Sequence, residues 1–116
     1  MSSEHDAMTP EEIIRFINNT VGDAHLRDRV YYTLRKMKIT HITERAVEAV
    51  LIFLALQKLN TMSVSVGLFN VFLNAKDPWT LLHLLGDKKV VVLKRGSDPY
   101  EYMLSNVFMQ YYQGLK

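Results

Sequence analysis

The sequence predicts a mainly α-helical α+β fold: one small domain with a β-hairpin near its C-terminus. Three observations lead there. Two helix starts place a capping residue directly before a proline, Thr9-Pro10 and Asp77-Pro78. A run that is apolar on nearly every side extends from Val47 to Leu59. The β-branched stretch Lys89-Val90-Val91-Val92-Leu93-Lys94, bounded by charge, leads into turn chemistry at Arg95-Gly96-Ser97-Asp98-Pro99. A chain of 116 residues suits one domain and can bury roughly two-thirds of its unfolded surface.

Taken in order, residues 1–8 are expected to form a flexible tail, and 9–116 the domain. Thr9, Pro10 and Glu12 make a capping box for a first helix whose stripe is Ile13, Ile14, Ile17 and Val21, ended by Gly22. Asp23 caps a second helix with the stripe Leu26, Val30, Leu34 and Met37, and the chain leaves that helix over Lys38 to Thr40. These N-terminal helices occupy 9–42.

A third helix starts near Thr43, with Ile42 and Val47 as a hydrophobic staple, and its all-round apolar character makes it the central core helix. Thr61-Met62-Ser63-Val64-Ser65-Val66 alternates polar and apolar and reads as a short strand. Gly67 to Leu73 reads as a short helix. Pro78 to Leu85 reads as another, with Leu81, Leu84 and Leu85 inward, Trp79 in the core or anchoring the helix, and Gly86 as the stop. The hairpin strands are Lys89 to Lys94 and Tyr100 to Leu104. Ser105 caps a last helix, Asn106 to Leu115, within the segment 105–116.

Composition excludes several classes. With 48% hydrophobic and 22% charged residues the chain is an ordinary globular sequence, not a disordered one. There are no cysteines, which removes disulfides, zinc thiolates and thiol nucleophiles and favours a reducing, cytoplasmic location. Met1 to Met8 carries Glu4 and Asp6 and has no apolar stretch, so no signal peptide is expected. The longest unbroken apolar run, Ala49 to Leu56, has eight residues, too few for a membrane span, which needs about 18 or more.

Catalytic and cofactor motifs are not recognisable, and neither an enzyme nor a cofactor is expected. The four histidines, His5, His25, His41 and His83, include no i, i+4 pair for a metal. No glycine cluster can cradle a phosphate, and no Gly-x-Ser-x-Gly elbow is present. Glu44 and Glu48 lie on one helix face and read as a solvated surface beside Arg45. The aromatic residues Tyr100, Tyr102, Phe108, Tyr111 and Tyr112 read as core and dimer packing rather than as stacking platforms for bases.

Net charge is only +2, but it is unevenly placed. Arg27, Arg29, Arg35, Lys36, Lys38 and Arg45 outnumber three acids across 23–45. Lys76, Lys88, Lys89, Lys94 and Arg95 outnumber three more across 76–98. Two basic segments can form one face for a phosphate backbone, or two separate solvated surfaces.

From the third helix onward the order is helix, strand, helix, turn, helix, strand, turn, strand, helix. Over 43–104 this order resembles the winged-helix variant of the helix-turn-helix fold. The resemblance implies duplex DNA as the partner, with Pro78 to Leu85 as recognition helix and the hairpin tip as wing. By position, the implied DNA-binding residues are Lys76, Thr80, His83 and Lys88 around the helix and Lys94, Arg95 and Ser97 in the wing. Arg27, Arg35 and Lys36 are added from the first basic segment. The helix departs from a good reader, since only Thr80 and His83 are suited to base edges and Asp87 repels phosphate. The expected function is a small transcriptional regulator acting as a homodimer through the apolar stripes of its first and last helices. The alternative is a protein-interaction or assembly module that binds no nucleic acid.

Overall fold

The computed structural model describes residues 8–96 and 98–114. Of the expected tail it includes only Met8, and Ser97 and Leu115 lie outside the described residues. The chain is mainly helical with a small antiparallel sheet, as read from the sequence.

Helix α1 spans Pro10–Val21 and opens with the expected capping box: Glu12 N–H donates to the Thr9 hydroxyl at 3.1 Å, and Thr9 N–H donates to Glu12 Oε1 at 2.8 Å. Its buried face carries Ile17, flanked by Ile13 and Phe16; Ile14 points outward instead. Helix α2, Ala24–Lys36, is capped by Asp23 and buries Val30, Thr33 and Leu34. The buried Thr33 hydroxyl donates to Arg29 C=O at 2.7 Å, which satisfies it inside its own helix. Lys38 then takes a left-handed conformation, φ 69°, and ends the helical path where the sequence indicated.

Helix α3, Glu44–Lys58, runs through the centre. Nine of its residues are buried, and α1 and α2 both pack on it. Strand β1 is only Val64–Ser65, shorter than the alternation suggested. The reason is a second role for Ser65: its hydroxyl accepts Leu68 N–H at 3.2 Å and starts helix α4, Val66–Leu73. Phe69 of α4 stacks on Phe53 of α3, ring centres 4.8 Å apart. Asn74, at φ 54°, closes α4, and the Asn70 side chain brackets the turn by bonding both N–H and C=O of Ala75.

Helix α5, Pro78–Asp87, continues through Gly86 rather than stopping there. The left-handed residue is Lys89, φ 67°, and the helix ends two residues later than expected, at Asp87 rather than Leu85. The strands are accordingly shorter than the apolar run: β2 is Val91–Lys94 and β3 is Glu101–Leu104. They pair antiparallel with Val91 opposite Leu104 and Lys94 opposite Glu101. Strand β1 adds to the other edge of β3, Val64 opposite Tyr102, giving the sheet order β1-β3-β2. Helix α6, Asn106–Gly114, returns against α2. Ser105 starts it from a buried position, accepting Phe108 N–H at 2.9 Å and donating to Lys89 C=O at 2.6 Å.

Buried residues from Ile17 to Phe108 form one continuous core. The first and last helices therefore bury their main apolar residues within the chain. What they leave exposed is Ile14 on α1 and Val107 and Tyr111 on α6. No helix among the described residues is long and apolar enough to cross a membrane.

Candidate functional site

The surface singled out by the sequence is built on α5 and the β2–β3 hairpin. Asp77 fixes the start of α5: its carboxylate accepts Thr80 N–H at 3.2 Å and the Thr80 hydroxyl as well. These hydrogen bonds hold the Asp77 carboxyl below its ordinary range, the Thr80 hydroxyl contributing most. The Thr80 hydroxyl proton is thereby committed to the cap. Only its remaining lone pairs face outward, as acceptors.

Pro78, Leu82 and Leu85 are the residues that dock α5 on the core. This corrects the expected inward set of Leu81, Leu84 and Leu85: Leu82 takes the central position, Leu81 is half-buried and Leu84 is 48% exposed. Trp79, expected in the core or as a helix anchor, is not in the core: it is 53% exposed, while its neighbour Pro78 takes the buried place at the first turn. Thr80, His83 and Asp87 do share one outer face, but Trp79 and Leu84 line the same shallow depression. Trp79 also borders a second depression with Val66, Asn70 and Val71 of α4. The outer face of α4 and α5 is thus half apolar.

The candidate cations divide into three sets. Lys76 and Lys88 are exposed just before and just after α5, and Arg95 is exposed beyond β2, where Gly96 at φ 76° turns the chain. None of these three makes an ion pair with a described residue. Lys94 faces Glu101 across the hairpin at 3.8 Å, which reduces its net charge toward a ligand.

From the first basic segment, Arg27 reaches Glu44 at 3.4 Å, and Arg29 turns toward α6, donating to Tyr112 C=O at 2.8 Å. Arg35 and Lys36 stay exposed at the end of α2, Arg35 resting over Tyr31. The end of α2 and the end of α5 come together: Leu34, His41, Leu84 and Lys88 line one cleft. Arg35, Lys36 and Lys88 therefore sit at neighbouring element ends, while Arg27 and Arg29 are directed elsewhere. Among the described residues no three His, Asp or Glu side chains gather to hold a metal ion.

The features that sequence reasoning missed are the outward Trp79 and Leu84 and the cleft that His41 and Lys88 both line. The first lay hidden in four leucines and a tryptophan crowded into one short helix, so that periodicity alone did not select the inward face. The second depends on how two helices dock and leaves no local signal. Comparisons of the chain with protein-family models, with curated proteins and with solved structures each find no match.

Proposed function

We propose that the chain binds duplex DNA, with α5 directed at the major groove and the β2–β3 hairpin at the adjoining backbone, as a small cytoplasmic regulator. The observation that carries this reading is the trio Lys76, Lys88 and Arg95, exposed around α5 and without ion pairs among the described residues. Ten helical residues span roughly 15 Å, against a major groove about 12 Å wide. Cations at both ends of such a helix suit the two phosphate edges of a groove. Arg35 and Lys36 are exposed at the end of α2, whose Leu34 lines a cleft with Lys88, and can add positive charge on that side. Thr80 and His83 present few donors to base edges, so the binding is expected to rest on phosphates and to be weakly sequence-selective.

The test is fluorescence anisotropy with a labelled duplex across a salt series. Affinity should fall steeply with salt, and the triple substitution Lys76→Ala, Lys88→Ala, Arg95→Ala should flatten the logarithmic slope by about 0.9 for each phosphate that is no longer neutralised. An unaltered chain that fails to retain duplex even at low salt sinks the reading.

One observation favours a second reading, an interaction or assembly module without nucleic acid. Val71, 65% exposed, joins Trp79, Leu68 and Leu84 as exposed apolar residues of α4 and α5. An exposed tryptophan is a common anchor of protein interfaces. A homodimer through α1 and α6 would use Ile14, Val107 and Tyr111. Light scattering at micromolar concentration checks the dimer, and a Trp79→Ala variant that loses a stoichiometric protein partner supports this second reading over the first.

A further inference from the structure

A second concavity lies away from α5. Helices α1, α2, α3 and α6, with Met62 after α3, enclose a cleft of about 900 Å³, and none of its wall comes from α4, α5 or the hairpin. We propose that this cleft is a binding site for a small amphipathic organic anion, a hydrocarbon body carrying one carboxylate.

Its volume and its mixed lining fall within the range of ligand sites. Ligand pockets run to about 300–1,000 Å³ and combine mostly apolar walls with a few placed polar groups. Here Phe16, Leu26, Leu54, Met62 and Met109 supply the apolar surface. The two methionines can adapt to the shape of a hydrocarbon.

The polar group is Arg29. Its Nη2 donates to Tyr112 C=O at 2.8 Å, and the guanidinium lies 4.4 Å from the centre of the Tyr112 ring. Both contacts fix its orientation and leave further donors of the fork unused. Its Nε is buried and has no hydrogen-bond partner among the described residues. That group faces no accessible space, so the donors left for a ligand are those of Nη1 and the second N–H of Nη2. A planar fork already oriented by stacking matches a carboxylate better than a mobile ammonium does.

Charge selects the class of ligand. The ionisable groups of the wall are Asp23, Arg29, Lys58 and Tyr112. Asp23 accepts Leu26 N–H as the cap of α2, and the Tyr112 phenol, which any tyrosine keeps protonated at neutral pH, is neutral. One positive charge is left over, which a single carboxylate balances. The site shares no wall with the α5 surface, so it stands or falls independently of DNA binding.

The experiment uses the full chain with ¹³C-methyl methionine, titrated at neutral pH with octanoate and, in parallel, with 1-octanol. Saturable shifts at Met62 and Met109, with octanoate binding at least about tenfold more tightly than the alcohol, are expected from one carboxylate–guanidinium contact. Arg29→Met should bring the two ligands to equal affinity. Leu54→Trp, which fills the cleft from α3, should abolish both titrations. Equal affinities on the unaltered chain overturn the proposal. So does undiminished octanoate binding by Leu54→Trp. Methionine shifts that follow protein concentration and ignore both ligands also overturn it, since a second copy of the chain then occupies the cleft.

Discussion

Thr80 gives both its backbone N–H and its hydroxyl proton to the carboxylate of Asp77, three residues earlier. The residue best placed at the start of α5 to read a base is thus tied into the helix cap. The same contact that orients α5 narrows what its outer face can recognise.

Removing that cap should be felt locally and as a function of pH. Asp77→Ala should lower the melting temperature by a few degrees, as loss of an N-cap does. The Asp77 pKa is depressed in the folded chain, so its contribution is complete above the ordinary carboxylate range and is lost as pH falls through the lower folded value. Asp77→Asn should keep most of the cap at neutral pH and flatten the acid limb of a melting-temperature profile.

Tyr112 acts at the opposite end of the scale. Burial raises its pKa, Asp23 adds to the rise, and Arg29 opposes it. Because the folded chain holds this proton more tightly, the contribution of Tyr112 is intact below pH about 10 and declines as pH rises through the folded value. Ultraviolet titration should show a tyrosine step above the ordinary phenol range, and Tyr112→Phe should remove both that step and its share of the alkaline loss.

Ser105 joins the hairpin to the last helix from a buried position. Ser105→Ala leaves Lys89 C=O and Phe108 N–H without their partner, and should destabilise by about 1–3 kcal/mol in urea unfolding. Phe108→Ala, which empties a fully buried site stacked against Tyr112, should cost more, about 3–5 kcal/mol.

Trp79 provides a contrast. As an exposed residue of α5, its replacement by alanine should leave stability within about 0.5 kcal/mol of the unaltered chain. Trp79 is the only tryptophan, so intrinsic fluorescence should be readily quenched by iodide or acrylamide in the folded state. A strongly protected signal would contradict the outward placement.

Within the proposed DNA surface, the hairpin cations should differ in weight. Lys94 faces Glu101, whereas Arg95 does not. Arg95→Ala should therefore reduce duplex affinity more than Lys94→Ala. Glu101→Gln should increase it, by removing the acid that offsets Lys94. Anisotropy at one fixed salt concentration orders the three variants.

The sequence by itself determined where most elements begin, because capping is a local contact. Thr9, Asp23, Thr43, Asp77 and Ser105 each accept an N–H only three residues ahead, within reach of a short reading frame. It also determined the central helix, since a segment apolar on every side has to be surrounded by protein. Ser65 shows the limit: alternation marked it as strand, and it is both the end of β1 and the cap of α4. Only the tertiary structure decided that Leu82 faces inward while Trp79 and Leu84 face out, that Arg29 turns to Tyr112, 83 residues away, and that Arg27 meets Glu44, 17 residues away. Which side of a helix docks and which charges pair depend on the packing of elements distant in the chain. The cleft around Arg29 exists only because four helices meet there, and no local stretch of sequence encodes that meeting.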